Sequence, residues 1–361
     1  VIAALVHSYG RVTAWYETPQ WEHGLAFGCG GFFLQGDVIL ETPSDEPGIP
    51  PPTIRLDTNA DWRCLESAAW QRDVPSGSLG FIEIYDARRA PVGWQNVDFD
   101  DAGWSPVEIL RVPGRQFVSD IVPFPRMGVR DIPPLHETMI DPRQVARIGE
   151  VENAPEAANI AALFEQESLE TLAQCAVSIP GQPDNRPIRD VRGLTITTTS
   201  THSVSLTVDF GRIVAGRILF DVEAPDGAVL DFTHSERLHA DGRVRIHQGI
   251  PGFDMPQAHR VTLRGGRQTW EAFEWAGFRY VQVTIRYCRQ PLIFHHIRVN
   301  QTGYPVKECG QFECSDELLN RIWQIGANTA RLCMHDAYVD CPSREQRQWM
   351  GDGYVQMLVN F

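Results

Sequence analysis

The absence of several features excludes whole classes of function. No apolar run approaches the ~18 residues that a transmembrane helix requires, so we predict no membrane-spanning segment and no membrane partner. Positive charge is scarce, with 32 lysine and arginine residues against 46 aspartate and glutamate residues and a formal net charge of −14. Nucleic-acid binding requires clustered lysine and arginine, so no nucleic-acid partner is expected.

Several catalytic and binding signatures are also missing. Gly28-Cys-Gly-Gly31 lacks the third glycine of a dinucleotide-binding loop, and no Lys-Ser/Thr follows it. No Gly-x-Ser-x-Gly elbow for a serine nucleophile occurs. His234, Glu236 and His239 do not suit a metal site, because a strand puts the first two on one face and His239 beyond it.

Cysteines are few and scattered. They form no CxxC pair and have no histidine at zinc-like spacing, which in a long chain favours free thiols. A disulfide between Cys309 and Cys314 is the alternative, so the cysteines are compatible with a soluble protein of either the cytoplasm or the periplasm. The sequence does not indicate the oligomeric state. The eight cysteines are Cys29, Cys64, Cys175, Cys288, Cys309, Cys314, Cys333 and Cys341.

The first third of the chain has the pattern of a β-domain. Short apolar or alternating runs are separated by glycine, proline and aspartate, and we place a β-sandwich at residues 1–122. At 361 residues the chain exceeds one domain of ~100 to 200 residues, so further domains are expected. The predicted strands are Ala26 to Leu34, Asp37 to Leu40, Thr53 to Leu56 and Gly80 to Tyr85.

A turn rich in aspartate lies late in this domain. Asp98, Asp100 and Asp101, with Gly103, offer oxygen ligands for a structural calcium ion, but the spacing lacks the regular pattern and distal glutamate of an EF-hand loop. A plain turn between strands is the favoured interpretation. We therefore predict no cofactor, with structural calcium as the alternative.

A second β-domain is predicted after a connector. Residues 123–192 have the composition of a proline-rich connector with a helical segment, because Glu156 to Leu172 carries apolar residues at helical intervals. Strand patterns return in residues 193–310, which we predict as a second β-sandwich. Its strands are expected at Leu194 to Thr199, Val204 to Phe210, Gly216 to Val222, Ala228 to Phe232, His259 to Leu263, Trp270 to Phe273 and Tyr280 to Tyr287.

The apolar period becomes helical near residue 311. Ser315 is the predicted N-cap, and Asp316 and Glu317 place negative charge in the first turn. An apolar stripe at helical spacing follows, and we expect a helical region over residues 311–361. The stripe consists of Leu318, Leu319, Ile322, Ile325 and Thr329.

The stretch from Asp340 to Asp352 contains three carboxylates, two arginines and a tryptophan. A sugar site uses these groups: carboxylates to move protons and bind hydroxyls, an arginine to bind ring oxygens, and an aromatic face for the apolar side of the ring. The alternative is an exposed helix with surface ion pairs.

A helix is predicted to begin near Ser343. The preceding proline can open a helix, and Ser343 with Gln346 fits a capping box. Glu345, Trp349 and Asp352 would then share one helix face.

This stretch resembles the Asp-Cys-Pro-x-Arg-Glu-x-x-x-Trp-x-Gly-Asp signature of the α-L-rhamnosidases of glycoside hydrolase family 78. Every named position is present from Asp340 to Asp352. Val208-Asp-Phe-Gly211, His234-Ser-Glu236 and Gly277-Phe-Arg-Tyr-Val281 resemble the β-sandwich that precedes the family's barrel. The resemblance implies a multidomain fold of two jelly-roll-like β-sandwiches and the start of an all-α (α/α)6 barrel.

The same resemblance implies an inverting glycoside hydrolase that removes terminal α-L-rhamnose from glycosides or polysaccharides. Glu345 would be the general acid, while Asp340, Arg344, Trp349 and Asp352 would bind the sugar. The family's general base is a glutamate further along the barrel, outside these residues, and no metal is implied.

Two alternatives remain open at this point, a non-catalytic carbohydrate-binding or scaffold protein and an (α/α)-barrel glycosidase or lyase for another sugar. The apolar start at Val1 and the uncapped helical pattern up to Phe361 suggest an internal piece of a longer polypeptide. We expect such a piece to lack the first strands and most of the barrel, and to be inactive alone.

Overall fold

The computed structural model describes residues 2–7, 32–40, 52–72, 74, 76–77, 80–108, 130–153, 159–181, 188, 190–246 and 257–360. Within these residues the chain is mainly β-sheet with few helices. The strands are β1 (Asp37–Ile39), β2 (Thr53–Arg55), β3 (Arg63–Cys64), β4 (Ser76–Gly77), β5 (Gly80–Phe81), β6 (Ile84–Asp86), β7 (Ser105–Pro106), β8 (His136–Ile140), β9 (Gln144–Glu152), β10 (Ala176–Ser178), β11 (Leu194–Thr197), β12 (His202–Ala224), β13 (Val229–Ser235), β14 (Ala258–Thr262), β15 (Gly266–Glu271), β16 (Ala276–Arg286) and β17 (Leu292–Gly303). The helices are α1 (Ile160–Gln166), α2 (Glu317–Leu332) and α3 (Met350–Asn360).

The chain divides into two compact units. The larger unit includes Ala69–Ala90 and Arg130–Phe361. The boundary therefore differs from the one predicted for residues 1–122, because β6 pairs in parallel with β14 and the backbone N–H of Glu83 donates to Nδ1 of His259 at 3.0 Å.

The smaller unit contains short strand pairs, β1 with β2 and β3 with β7. Phe32 packs against Trp62 with ring centroids 5.8 Å apart, and Phe99 meets Trp104 edge to face at 5.5 Å. Most of the predicted strand at Ala26 to Leu34 lies outside the described residues, as do Cys29 and the glycines at 28–31.

The aspartate-rich segment forms a turn. Oδ1 of Asp100 accepts from the backbone N–H of Ala102 at 3.0 Å, the geometry of an Asx turn. Across the described part of the chain, no group of three or more His, Cys, Asp or Glu side chains is arranged to hold a metal ion. In the same residues no helix is both long and apolar enough to cross a bilayer.

One long strand organises the larger unit. β12 has 23 residues and belongs to an 11-stranded sheet of the described residues, with the path β10-β11-β17-β12-β16-β13-β14-β6. Its first half pairs with β9 and β16, its second half with β17 and β15. The register shifts between Asp209 and Val214, where Gly211 takes a φ of 77°. The two strands predicted at Val204 to Phe210 and Gly216 to Val222 are thus halves of one bent strand.

Aromatic side chains fill the core of this unit. Phe220 is fully buried, stacks on Trp270 at 5.9 Å and meets Phe232 edge to face at 5.2 Å. Alternate residues of β12, β13 and β16 face this core, as period-two alternation requires. Five predicted strands are confirmed by β11 and β13 to β16.

The opposite face of β13 and β16 is also buried but polar. Arg286 forms ion pairs with Asp231 and Glu167, and all three side chains are at most 3% exposed. Arg260 donates to Asp231 as well, at 2.6 Å. Three buried charged groups paired in this way replace the lost hydration with direct hydrogen bonds.

The predicted connector is partly strand. Within residues 123–192, β8 pairs with β17 and β9 pairs with β12. The prediction missed them because their outward faces are polar, whereas Val145 and Ile148 pack against the core. Helix α1 is shorter than the predicted run, and it buries Ile160, Ala161 and Phe164.

Two buried histidines give a pH-dependent stability. Burial lowers the pKa of His234 to about 4 and that of His259 to about 3, from 6.5. The unfolded chain therefore binds more protons than the folded protein below pH ~6.5, and stability falls on acidification. Each histidine should lower the free energy of unfolding by about 2 kcal/mol when the pH falls from 7 to 5.

The variant His234→Gln, which cannot titrate in this range, should lose about 2 kcal/mol less than the wild type over the same interval. Urea unfolding at pH 7, 6 and 5 measures both curves, and shared carboxylate titrations cancel in the difference. Parallel curves for the two proteins would contradict the assignment.

Candidate active site

The signature segment forms a closed loop, residues 340–347, which we call the signature loop. The backbone N–H of Asp340 donates to the carbonyl of Arg347 at 2.8 Å, and the N–H of Arg347 donates to Oδ1 of Asp340 at 2.9 Å. Two hydrogen bonds between the same pair of residues therefore join its ends.

The predicted helix at Ser343 is wrong, since α3 begins only at Met350. Gln346 has a φ of 54°, which a right-handed helix cannot contain. Its side-chain amide donates to the carbonyl of Pro342 at 2.9 Å and to that of Trp275 at 3.2 Å, instead of closing a capping box with Ser343. A residue outside the local sequence thus decides the local conformation.

Glu345 lies between two donors. Arg344 approaches its Oε1 at 2.6 Å, and Nε1 of Trp349 donates to its Oε2 at 2.8 Å. The Glu345 side chain is 17% exposed and the Arg344 side chain 45% exposed. The predicted proximity of Glu345 and Trp349 is present, although a loop and not a helix face produces it.

The other two predicted site residues have different surroundings. Asp340 uses one oxygen inside the signature loop, and its Oδ2 accepts from the thiol of Cys341 at 3.1 Å. Asp352 lies exposed in the first turn of α3, where a carboxylate suits the helix N-terminus. The structure therefore brings Arg344, Glu345 and Trp349 into contact but leaves Asp352 outside that group.

Cys341 links two parts of the signature loop. Its sulfur accepts from the backbone N–H of Glu345 at 3.4 Å while its thiol donates to Asp340. Burial raises the pKa of this thiol, which keeps it protonated as a donor. Free thiols were predicted, and the seven cysteines within the described ranges form no disulfide.

The β-sheet supports the signature loop from behind, which the sequence did not predict. Ser343 donates to Oε1 of Glu236 at 2.5 Å, directly after β13. Gly277, on β16, lies so close to Pro342 that an added Cβ would be 2.5 Å from its carbonyl carbon. His234-Ser-Glu236 and Gly277-Phe-Arg-Tyr-Val281 carried the only signal, as resemblances without an assigned role.

A second contact joins the sheet to the end of α2. The His335 ring stacks on Trp275 at 3.9 Å, and burial lowers its pKa to about 4. Trp275 in turn accepts the Gln346 hydrogen bond through its carbonyl. Trp275, directly before β16, therefore contacts both the signature loop and the segment that follows α2.

Helices α2 and α3 expose apolar side chains. α2 begins at Glu317 with Asp316 as its N-cap, one residue after the predicted Ser315. Most of the predicted stripe is 48% to 65% exposed, and α3 exposes a similar set. The exposed side chains are Leu318, Leu319, Ile322, Trp323 and Ile325 on α2, and Met350, Tyr354, Val355, Met357, Leu358 and Val359 on α3.

Three family models match the chain in succession. Residues 52–126 match the α-L-rhamnosidase N-terminal domain, and residues 199–299 match the bacterial α-L-rhamnosidase concanavalin-like domain. Residues 307–360 match the bacterial α-L-rhamnosidase 6 hairpin glycosidase domain. The third match contains the signature loop together with α2 and α3.

Two curated relatives are α-L-rhamnosidases. The protein from Formosa agariphila is 31% identical over 153 residues, 41% of this chain and 16% of the relative. The protein from Streptomyces avermitilis is 24% identical over 301 residues, 82% of this chain and 22% of the relative. The chain thus spans less than a quarter of the length of either relative.

Solved structures share the fold. A family 78 rhamnosidase of Bacillus sp. GL1 superposes with a TM-score of 0.65 at 19% identity, covering 87% of this chain and 49% of that one. The S. avermitilis α-L-rhamnosidase complexed with L-rhamnose gives 0.52 at 19% identity, covering 86% and 25%.

Because Gly277 and Pro342 are in close contact, one methyl group added at Gly277 should displace the signature loop. Gly277→Ala should push the signature loop off β16 and cost ~1 to 3 kcal/mol, as overpacking does. Backbone amide exchange at Asp340 and Arg347 should accelerate, because their mutual hydrogen bonds would be strained.

Gly310→Ala is the matched control, since an added Cβ there meets nothing within 4 Å. It should leave unfolding free energy and amide exchange within error of the wild type. Unchanged loop exchange in Gly277→Ala would contradict the proposed seating of the loop.

Proposed function

Because this chain belongs to the α-L-rhamnosidases of glycoside hydrolase family 78, we propose that it is part of a glycoside hydrolase. The proposed enzyme removes terminal α-L-rhamnose from glycosides or polysaccharides with inversion of configuration. The single observation that carries the proposal is the contact of Arg344, Glu345 and Trp349 in the signature loop. An acid, a cation and an aromatic plate at one point are the parts that a sugar subsite needs.

Glu345 is the proposed general acid. One of its oxygens forms an ion pair with Arg344 and the other accepts a hydrogen bond from Trp349, which is the arrangement of a carboxylate. To protonate a glycosidic oxygen, Glu345 must carry a proton and release one of these donors. Arg344 is the more exposed partner and is free to turn towards sugar hydroxyls, so substrate binding would itself release one oxygen.

Asp340, Arg344, Trp349 and Asp352 are the proposed sugar-binding residues. Trp349 is 41% exposed and offers its ring face to the apolar side of rhamnose. Asp352 lies in the first turn of α3, outside the group of Arg344, Glu345 and Trp349, so we propose that it binds the sugar from the α3 side. Inversion requires a second carboxylate ~6.5 to 9.5 Å from the acid, and the resemblance assigns it to the barrel beyond these residues.

The proposed architecture is two jelly-roll-like β-sandwiches followed by the first helices of an (α/α)6 barrel. The match of residues 307–360 to the 6 hairpin glycosidase domain supports it. The exposed apolar sides of α2 and α3 support it as well, because a barrel helix packs such a side against its neighbours.

Hydrolysis of a chromogenic α-L-rhamnoside by the full-length protein tests the activity. Proton NMR of the first product should show β-L-rhamnose before mutarotation if the reaction inverts. If the α-anomer appeared first, inversion would be refuted but the hydrolase activity would not. Turnover of another sugar only, or sugar binding without turnover, would favour one of the two alternative functions.

Replacing Glu345 by glutamine separates the acid role from binding. Glu345→Gln should lower turnover of alkyl rhamnosides by ~10²- to 10⁴-fold, the usual contribution of a general acid. The loss should be much smaller with a dinitrophenyl leaving group, which departs without protonation, and rhamnose affinity should change little.

Glu313→Gln is the matched control, since Glu313 is exposed and lies outside the signature loop. Its kinetics should equal those of the wild type. Equal losses on both leaving groups in Glu345→Gln, with rhamnose binding also lost, would assign Glu345 to binding or folding instead.

A further inference from the structure

We propose that Glu236, directly after strand β13, is a positioning residue that sets the orientation of Glu345 through Ser343. This inference rests on the proposed function and adds a residue of the β-domain to it. Glu236 would act on Glu345 only through the signature loop, without touching substrate.

The backbone next to Glu236 is held in place by the sheet. It directly follows β13, whose seven residues are all buried and which pairs with β14 on one side and β16 on the other. The ladder with β16 continues to the last residue of β13, where Ser235 lies opposite Tyr280. A carboxylate so close to a two-sided strand pairing has little freedom to follow a moving loop.

The hydrogen bond from Ser343 to Glu236 lies at the edge of a cavity. A cavity of about 340 Å³ lies between sheet and loop, lined on the loop side by Cys341, Ser343 and Arg344 and on the sheet side by residues that include Glu236 and Gly277. The described side chains leave this volume open, so Ser343 and Arg344 gain few dispersion contacts on that side of the loop. The 2.5 Å bond between Ser343 and Glu236 is the direct link across it.

The link reaches Glu345 in two residues. Ser343 precedes Arg344, whose guanidinium contacts Oε1 of Glu345 at 2.6 Å. On the other side of Ser343, the seat of Pro342 on Gly277 fixes the start of the loop. Without Glu236, the segment between Pro342 and Glu345 could relax into the cavity and turn the carboxyl group away from its target.

A double-mutant cycle in the full-length protein tests the proposal. Glu236→Ala and Ser343→Ala should each lower kcat on an alkyl rhamnoside about tenfold or more, because small misplacements of a catalytic group are costly. The double variant should be no worse than either single one, since both remove the same bond. KM should change little.

Two further variants sharpen the cycle. Glu236→Gln keeps an oxygen that accepts from Ser343 and should recover most of the activity. Glu223→Ala, at an exposed carboxylate of β12, should match the wild type. The loss in Glu236→Ala should also shrink to about threefold or less on a dinitrophenyl rhamnoside, because a misplaced acid matters less there.

The positioning role would be overturned if the losses of kcat in Glu236→Ala and Ser343→Ala multiplied in the double variant. Equal losses of kcat on the alkyl and the dinitrophenyl rhamnoside in Glu236→Ala would overturn it as well. Backbone amide exchange at Ser343 to Gln346 provides a readout without substrate, and it should accelerate in Glu236→Ala but not in Glu236→Gln. If the wild type hydrolyses no rhamnoside, the proposed function fails, and this exchange comparison alone decides whether Glu236 holds the loop.

Discussion

The paired hydrogen bonds between Asp340 and Arg347 are the constraint on which the candidate site depends. They close eight residues into a loop, in which Gln346 has a left-handed backbone. Such a conformation costs free energy, which the contacts of the Gln346 amide with Pro342 and Trp275 offset. This closed shape limits the positions that Glu345 can take.

The sequence predicted the composition of the site but not its conformation. Proximity of Glu345 and Trp349 was expected from helical spacing, and the two side chains do meet. The helix itself was wrong, because Ser343 bonds to Glu236, more than a hundred residues earlier in the chain. A capping box is a local pattern, and here two distant partners took both of its side chains.

The β-domain shows the same division between local and distant information. Strands that face the aromatic core were predicted, because burial of one face leaves alternation in the sequence. β8 and β9 were missed, since their polar outer faces and nearby prolines resemble a connector. The buried ion pair of Arg286 and Glu167 could not be predicted either, because nothing in the sequence shows that two charged residues 119 positions apart will form a contact.

The contacts between sheet and loop give the β-domain a role beyond folding independently. A loop that carries two arginines and two carboxylates has several alternative ion pairs of similar free energy, and nothing in its own sequence selects one of them. A strand held on both sides supplies the selection: Gly277 fixes where Pro342 lies, and Glu236 fixes which way Ser343 turns. The ion pair of Arg344 with Glu345 is then the one that these contacts favour, and a substrate hydroxyl can replace Arg344 in it without moving the loop.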